Sequence, residues 1–354
     1  MSGVDEMIRI THGDLLKTKA EALVNTVNCV GVMGKGVALQ FKKAFPENFK
    51  AYAKACKHGD VLPGKMFTFD TGEMMEARWI INFPTKRHWK GKSRLEDVEA
   101  GLKALAEEVT ALRIKSIAVP PLGCGNGGLD WNVVRPRIEQ TFAGLPGVEV
   151  QLFEPSGAPK PQEMTDRRKK PHLTVARALF IKLLDLYRMA DYQLSQLEIQ
   201  KLAYFLQVAG EPLKLNYVSH KYGPYANGLT HVLNRMEGHY IDGFGDNTSK
   251  AHGASISLRP NALSEADEFL KCLGPDKSHD HLARVGKLIE GFESPYGMEL
   301  LATVHWASMH VETPPASVEE VVPIVQEWSP RKAELFTPKH IEKTYQRLSE
   351  QGWL

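Results

Sequence analysis

The stretch EALVNTVNCVGVMGKGVALQFKKAF, residues 21–45, indicates the fold most directly. Residues 21–28 are rich in apolar and β-branched side chains, which predicts a strand, and a helical pattern runs from Val37 to Phe45. Between them, Gly34–Gly36 lies where backbone N–H groups and the positive end of a helix favour an anion. A GxG sequence is equally typical of a tight turn, so this loop alone leaves the ligand open. The unit as a whole predicts an α/β domain.

A second glycine-rich loop, GCGNGGLDW at 123–131, follows the apolar strand pattern KSIAVPPL at 115–122. Four of its first six residues are glycine, although each ordered glycine costs about 0.5–1 kcal/mol of conformational entropy. Close approach of a ligand to the backbone explains this composition better than a surface turn does. Ligands of α/β sheets bind at the carboxyl ends of strands, so two glycine loops at that edge predict a diphosphate.

Alternating strand and helix patterns continue on both sides of these loops. The apolar residues of 93–112 recur at helical spacing, as expected for a helix that covers a sheet. The first 155 residues therefore predict a three-layer α/β domain with a largely buried mixed sheet. Further strands are predicted at 7–11, 65–71, 78–84 and 148–155, and further helices at 49–57, 93–112 and 132–142.

The composition changes after this first domain, 1–155. Residues 156–171 are rich in proline and charge and predict a linker, whose RRKK run is more typical of a solvated segment than of a nucleic-acid site. From 172 to 354 nearly every segment has helical periodicity, which predicts a second, mainly α-helical domain. Lys and Arg exceed Asp and Glu by 26 to 20 up to Pro171, whereas the acids exceed them by 22 to 18 beyond it. The first part therefore suits a polyanion better than the second.

The composition of the whole chain excludes several classes of protein. With 43% hydrophobic and 24% charged residues among 354, it is typical of a soluble globular protein. No apolar run reaches the length of a membrane span and the start has no signal-peptide pattern, so we expect a cytoplasmic protein with no membrane partner. Four widely spaced cysteines and the histidines within 279–281 and 305–310 do not form a ligand set, so no metal and no cofactor is predicted.

Two common nucleotide-binding motifs are missing. The glycines around Lys35 lack the GxxxxGK[ST] spacing and the hydroxyl residue of a P-loop. A dinucleotide-binding fold would place GxGxxG after the first strand, but that strand ends in THGDLL, 11–16. The sequence therefore predicts neither an NTPase nor a nicotinamide-dependent dehydrogenase.

Four motifs together resemble the macrodomain, the ADP-ribose-binding module, over about residues 7–155. They are GDLL at 13–16, ALVNTVN at 22–28, MGKGVALQFKKAFP at 33–46 and PPLGCGNGGLDW at 120–131. NFPTKRHW, residues 82–89, further resembles the lysine-dependent branch of that family. This branch includes terminal ADP-ribose hydrolases and the DarG-type antitoxins, which remove ADP-ribose from thymidine in DNA, and the resemblance to the antitoxins is the closer one.

The resemblance implies how ADP-ribose would be held. Asp14 would bond the adenine amino group, and Phe153 would lie near the adenine ring, although Phe153 fits the core equally well. Asn25 and Asn28 would face the distal ribose. The residues that would wrap the two phosphates are Gly34, Lys35, Gly36, Val37, Gly123, Cys124, Gly125, Asn126, Gly127 and Gly128.

Lys86 follows the predicted strand 78–84 and is the expected catalytic residue. A lysine amine attacks carbon only when deprotonated, and its ordinary pKa of about 10.4 makes this form rare in water. Partial burial at the strand end, with Arg87 and Lys35 close, would lower the pKa of Lys86. We therefore expect an activated amine between the two glycine loops.

The role of Lys86 has three alternatives. The resemblance implies that it attacks the ribose, assisted by an acid just after the GCG of the second loop. In this chain Asn126, Gly127 and Gly128 occupy that position, and the nearest carboxylate is Asp130. Lys86 therefore attacks the ribose, donates a proton to the leaving base, or stabilises the developing charge while a water attacks.

The segment KRHWKGKSR, residues 86–94, combines basic side chains with an aromatic ring. Basic groups follow a phosphate backbone and an aromatic ring stacks on a base, the pattern expected for single-stranded nucleic acid. We predict that Arg87, His88, Trp89 and Lys90 bind DNA.

The second domain carries another resemblance. LEIQKLAYFLQVAGEPL at 197–213 and VSHKYGPYANGL at 218–229 resemble the helical domain of Panacea-type antitoxins over about 173–239. The resemblance implies that this domain binds a toxin, here a DarT-like DNA ADP-ribosyltransferase.

These patterns predict an ADP-ribosyl glycohydrolase that acts on thymidine in single-stranded DNA, joined to a toxin-binding domain. One alternative is a non-catalytic ADP-ribose reader that neutralises the toxin stoichiometrically. Another is a hydrolase of mono-ADP-ribosylated protein. The basic segment with Trp89 favours DNA over protein, and Lys86 favours an enzyme over a reader.

Overall fold

The computed structural model describes residues 7–73, 77–187, 194–246, 255–273 and 278–354. The chain folds as two compact units that divide between Lys169 and Lys170, with Asp246 grouped with the first unit.

The first unit is built on a six-stranded mixed sheet. Its strands are β1 (Ile8–Thr11), β2 (Ala22–Asn28), β3 (Phe67–Asp70), β4 (Trp79–Lys86), β5 (Ser116–Val119) and β6 (Glu149–Phe153). They lie in the order β1-β6-β5-β2-β4-β3, and every neighbouring pair is parallel except β3 and β4. The predicted mixed sheet is therefore confirmed, with its antiparallel strand at one edge.

Helices cover both faces of this sheet. They are α1 (Gly36–Ala44), α2 (Pro46–His58), α3 (Leu95–Ala111) and α4 (Trp131–Ala143). Successive side chains of a strand point to opposite faces, so Val24 packs in the cluster that contains α3 and α4, whereas Leu23 packs with Phe41 of α1. This alternation produces the predicted three layers. Helix α2 begins earlier than predicted because Pro46 occupies its first turn, where a missing N–H costs nothing.

The second unit is mainly helical, as predicted. Its helices are α5 (Val175–Tyr187), α6 (Gln196–Val208), α7 (Asn227–Met236), α8 (Ala262–Leu273), α9 (Ser278–Ile289), α10 (Pro295–Met309), α11 (Val318–Glu327), α12 (Pro330–Leu335) and α13 (Pro338–Glu350). Two short antiparallel pairs accompany them: β7 (Val218–His220) with β8 (Gly223–Tyr225), and β9 (Ile241–Asp242) with β10 (Ser257–Leu258). Helix α10 is buried nearly all round and contacts α6 and α13. Within the described ranges, no helix combines the length and the apolar character that a membrane crossing requires.

Candidate functional site

The predicted site residues meet at one edge of the first unit. Parallel strands present their carboxyl ends at the same edge of a sheet, so the segments that follow β1, β2, β4 and β5 leave the sheet side by side. Asn28, the last residue of β2, pairs directly with Lys86, the last residue of β4. The edge therefore brings together both glycine loops and the segment that carries the lysine.

Asn28 organises the first glycine loop, residues 29–35. Its Oδ1 accepts the backbone N–H groups of Val30 at 3.0 Å and Val32 at 3.3 Å, and its amide donates to the Val32 carbonyl. The Tyr52 hydroxyl donates to the Asn28 carbonyl at 2.6 Å. The asparagine thus shapes the loop with the same amide that we expected to face the distal ribose.

The first loop ends at the start of α1. Gly36 adopts a left-handed φ of 61°, and Lys35, in the N-cap position, makes no side-chain cap hydrogen bond. Gly34 and Lys35 are exposed and Val37 is half-buried. No side chain caps this helix, but the Gly36 N–H donates to the Asp246 carbonyl at 2.9 Å, so a phosphate at this end would use the N–H groups that follow Gly36.

Asn25 lies behind the first loop and does not reach the surface. It is fully buried, and its amide donates to Asn82 Oδ1 at 2.9 Å. The Asn82 amide in turn donates to Asn48 Oδ1 at 2.7 Å. Within the part of the chain that the structure describes, Asn25 Oδ1 has no hydrogen-bond partner. The three asparagines therefore form a buried amide network that supports the loop.

Asp14 lies shortly after β1, and Phe153, the last residue of β6, pairs with Thr11, the last residue of β1. Asp14 Oδ1 accepts the N–H of Leu16 at 3.0 Å, whereas its Oδ2 is buried without a hydrogen-bond partner among the described residues. This oxygen lies 3.9 Å from Lys17 Nζ, an ion pair without a hydrogen bond, so it can still accept a hydrogen bond from the amino group of an adenine. Phe153 is only 4% exposed and belongs to the core cluster that contains Leu15. Its position agrees with its core alternative and places it in the same cluster as Leu15, the residue that follows Asp14.

The second glycine loop, residues 123–128, is tightly folded. Gly123 and Gly128 have left-handed φ values of 72° and 81°. The Leu129 N–H donates to the Gly123 carbonyl at 3.1 Å, and the Ser93 N–H donates to the Gly127 carbonyl at 3.0 Å. A Cβ at Gly127 would lie 2.2 Å from both the Gly123 carbonyl oxygen and Ser93 Oγ. Glycine is therefore required at 127 by close packing within the protein itself.

Two side chains in or beside the second loop bear on its acid and nucleophile chemistry. Asp130 caps α4, since its carboxylate accepts the Asn132 N–H at 2.9 Å. Burial raises the pKa of the Cys124 thiol to about 11, so it stays protonated at neutral pH. The acid that the resemblance implies has no replacement in this loop.

Lys86 connects the two loops. Its Nζ donates a hydrogen bond to the main-chain carbonyl of Asn126. Partial burial lowers the pKa of Lys86 from its ordinary value. Arg87, which we expected to assist that lowering, instead directs its guanidinium to Asp97, with Nε 3.1 Å from Oδ2 and Nη2 3.0 Å from Oδ1. Burial is thus the cause of the shift.

The segment after Lys86 presents an aromatic ring with basic neighbours. Trp89 is 49% exposed, and its ring lies 5.5 Å from that of His88. Lys90 Nζ lies 5.0 Å from the centroid of the Trp89 ring. An exposed indole beside a cation is the arrangement predicted for stacking on a base next to a phosphate.

Several residues that shape the site were not predicted from the sequence. Tyr52 fixes Asn28, Ser93 fits between two glycines, and Asp97 binds Arg87. An acid in the first turn of a helix, as Asp97 is, is ordinarily interpreted as a partner of the helix dipole. No group of His, Cys, Asp or Glu within the described ranges could hold a metal ion.

Comparison with known proteins places the chain in a family. A model of the Macro domain matches residues 24–138. A DNA ADP-ribosyl glycohydrolase of Thermus aquaticus is 49% identical over 349 residues, 98% of this chain and 94% of the relative. One of Mycobacterium tuberculosis is 41% identical over 97% of this chain and 99% of its own length.

A further relative, from Thermosipho africanus, is a DNA ADP-ribosyl transferase-DNA ADP-ribosyl glycohydrolase fusion protein. It is 34% identical over 163 residues, 42% of each chain. Because the first two relatives match along nearly their whole length, the chain belongs to the family of DNA ADP-ribosyl glycohydrolases, and its first unit is a macrodomain.

Proposed function

We propose that the chain is an antitoxin that hydrolyses ADP-ribose from thymidine in single-stranded DNA and also binds the toxin that attaches it. The observation that carries the proposal is the position of Lys86, whose partly buried amine donates to Asn126 of the second glycine loop and whose carbonyl accepts from Cys29 of the first. The relatives named DNA ADP-ribosyl glycohydrolases support the reaction class. Because the substrate is cellular DNA, we place the protein in the cytoplasm.

ADP-ribose would lie along the edge of the sheet with its diphosphate between the two loops. Asp14 Oδ2 would accept a hydrogen bond from the adenine amino group, since it has no other hydrogen-bond partner in the described structure. The start of α1 and the second loop would hold the phosphates. In that loop the Cys124 and Gly128 N–H groups donate to Pro121 and Gly125, so the N–H groups of residues 125–127 would make the contacts. The distal ribose would then reach Lys86, which is paired in the sheet with Asn28.

The deprotonated amine of Lys86 would attack the anomeric carbon of that ribose. The bond from this carbon to the base nitrogen breaks, and the base leaves with the proton that the attacking amine loses. Water then attacks the same carbon, releases ADP-ribose and regenerates the amine. The only ring nitrogen of thymidine outside the sugar link is flanked by two carbonyls, so the base can leave as a delocalised anion without a general acid and then take up the proton that the amine loses. This chemistry agrees with a loop in which Asp130 serves as a helix cap.

The exposed ring of Trp89 would stack on a base of the DNA strand, with Lys90 near a phosphate. Stacking contributes about 1–3 kcal/mol per base, so Trp89→Ala should raise KM for modified DNA by about 5- to 150-fold. Affinity for free ADP-ribose should not change, because the indole lies outside the predicted ADP-ribose loops. Equal losses with DNA and with free ADP-ribose would argue against this assignment.

Replacement of Lys86 by alanine tests the proposed reaction. The variant should bind ADP-ribose with nearly wild-type affinity in calorimetry but release none from a modified oligonucleotide. Wild-type turnover by Lys86→Ala would show that the lysine is not catalytic. Failure of the wild-type protein to release ADP-ribose, despite binding it, would favour the reader alternative.

The second unit would neutralise the toxin by direct binding. The fusion relative joins a DNA ADP-ribosyl transferase with a glycohydrolase in one chain, which supports a transferase as the partner. Full-length Lys86→Ala, which cannot hydrolyse the product, should still bind a purified DNA ADP-ribosyltransferase and slow its modification of DNA. If only the hydrolytically active protein lowers the level of modified DNA, the second unit has no neutralising role.

A further inference from the structure

Arg87 is bound within the protein by a buried carboxylate. Its guanidinium makes two hydrogen bonds to Asp97, whose side chain is only 9% exposed. Paired bonds of this kind fix both distance and orientation, because the planar guanidinium matches the carboxylate. Asp97 lies in the first turn of α3, where the helix dipole also favours a negative charge. The pair therefore ties the segment just after β4 to the start of α3.

The backbone just before Arg87 lacks a regular strand register. Val27 of β2 pairs with Pro84, but the next residue, Asn28, pairs with Lys86, so Thr85 is an extra residue in β4. Pro84 has no N–H to donate to the ladder. A bulge of this kind redirects the following side chain and locally disrupts the hydrogen-bond ladder that would fix its direction. Lys86 thus leaves the sheet at a point where the ladder alone does not fix its direction.

We propose that Asp97 is a positioning residue that, through Arg87, holds the Lys86 amine at the Asn126 carbonyl. The inference rests on the proposed function, since it concerns the catalytic lysine. It also assigns Arg87 a different task from the phosphate contact that the sequence predicts. Asp97 is suited to distinguish the two tasks, because a buried carboxylate makes no favourable contact with DNA.

Two conservative variants separate the alternatives. Arg87→Lys keeps the charge that a phosphate needs but loses the two-pronged geometry that Asp97 needs. Asp97→Asn keeps the shape of the side chain but removes its charge. If Arg87 only contacts DNA, Arg87→Lys should resemble wild type, and Asp97→Asn should bind DNA as well as wild type or better.

The positioning role predicts a loss of kcat with little change in KM. A displacement of about 1 Å at a reacting group costs about 100-fold in rate, so both variants should lower kcat by about 10- to 100-fold. The double variant should be no slower than the worse single variant, because both changes break one interaction. The dependence of DNA binding on salt should stay that of wild type, because neither variant removes a positive charge.

The measurement is single-turnover and steady-state release of ADP-ribose from a modified single-stranded oligonucleotide, together with calorimetric binding of free ADP-ribose. Unchanged ADP-ribose binding shows that each variant is folded. If Asp97→Asn does not fold, the kcat of Arg87→Lys alone tests whether Arg87 positions Lys86. Wild-type kcat in Arg87→Lys, or a change confined to KM and the salt slope, would overturn the inference. Absence of release by the wild-type protein would instead refute the proposed function, so the two failures are distinguishable.

Discussion

Replacement of Gly127 by alanine should distort the second glycine loop, whereas the same change at Gly125 should leave the fold of that loop intact. A Cβ at Gly127 would lie 2.2 Å from the Gly123 carbonyl oxygen and 2.2 Å from Ser93 Oγ. The Ser93 hydroxyl can rotate away, but the Gly123 carbonyl is backbone and accepts the Leu129 N–H at 3.1 Å. At Gly125 nothing lies within 4 Å of an added Cβ. The two positions therefore form a matched pair within one loop.

The size of the effect follows from these distances. Cβ contacts below 3.0 Å essentially do not occur, so residue 127 must move by about 0.8 Å to relieve a 2.2 Å contact. Overpacking of this kind costs about 1–3 kcal/mol, which corresponds to about 5- to 150-fold weaker ADP-ribose binding if the strain falls on the bound loop. Asn126 precedes the displaced residue and its carbonyl accepts the Lys86 amine. We therefore expect kcat/KM to fall by about 100-fold.

The assay compares Gly127→Ala, Gly125→Ala and wild type in ADP-ribose calorimetry and in release of ADP-ribose from modified DNA. Thermal unfolding of each variant is the control for folding. The unfolding transition of the second unit, which carries no substitution, should be that of wild type. Gly125→Ala should unfold at the same temperature as wild type, since its Cβ meets no protein atom, whereas Gly127→Ala should unfold the first unit at a lower temperature. Equal unfolding temperatures of the two variants would refute the argument that packing against Gly123 sets the shape of this loop.

Three further predictions concern pH and stability. Burial lowers the pKa of Lys86 from its ordinary value of 10.5, and the free amine is the reactive form. The value of kcat/KM should therefore rise with pH and level off below pH 10.5. A pH-independent kcat/KM would contradict this prediction. Lys332 is fully buried, and its amine lies 2.9 Å from the Glu299 carboxylate, which is its counter-charge. Glu299→Gln removes that charge and should lower the free energy of unfolding by about 3–5 kcal/mol. A loss below about 1 kcal/mol in denaturant titration would contradict this prediction. Gly101→Ala should destabilise the first unit by about 1–3 kcal/mol, because its Cβ would lie 2.3 Å from the buried Phe83 ring, and an unchanged melting temperature would argue against that packing.

The architecture of both units follows from local patterns. In β2 the alternation of Leu23 and Val24 between two core clusters is a property of a strand with both faces covered, and it can be recognised without a structure. The two glycine loops are recognisable for a similar reason, since few other structures need so much glycine. Their placement at one edge follows from parallel strands alone.

The interactions that set the site are less accessible to sequence reasoning. Arg87 and Asp97 meet only because β4 ends beside the start of α3, and Ser93 meets Gly127 only because two loops fold together. Asn25 was expected at the ribose, yet its amide is committed to Asn82, a residue of a neighbouring strand. Such pairings depend on tertiary contacts between distant segments, and the local hydrophobic pattern of the sequence does not indicate them.

Release of ADP-ribose from thymidine in a single-stranded oligonucleotide is the most direct test of the central claim. The wild-type protein should release free ADP-ribose and restore the unmodified strand, and Lys86→Ala should release none at the same concentration. The same ADP-ribose attached to acidic side chains of a protein should be released much more slowly, since it offers no strand to Trp89. Equal or faster release from the modified protein, or unchanged release from DNA by Lys86→Ala, would contradict the account.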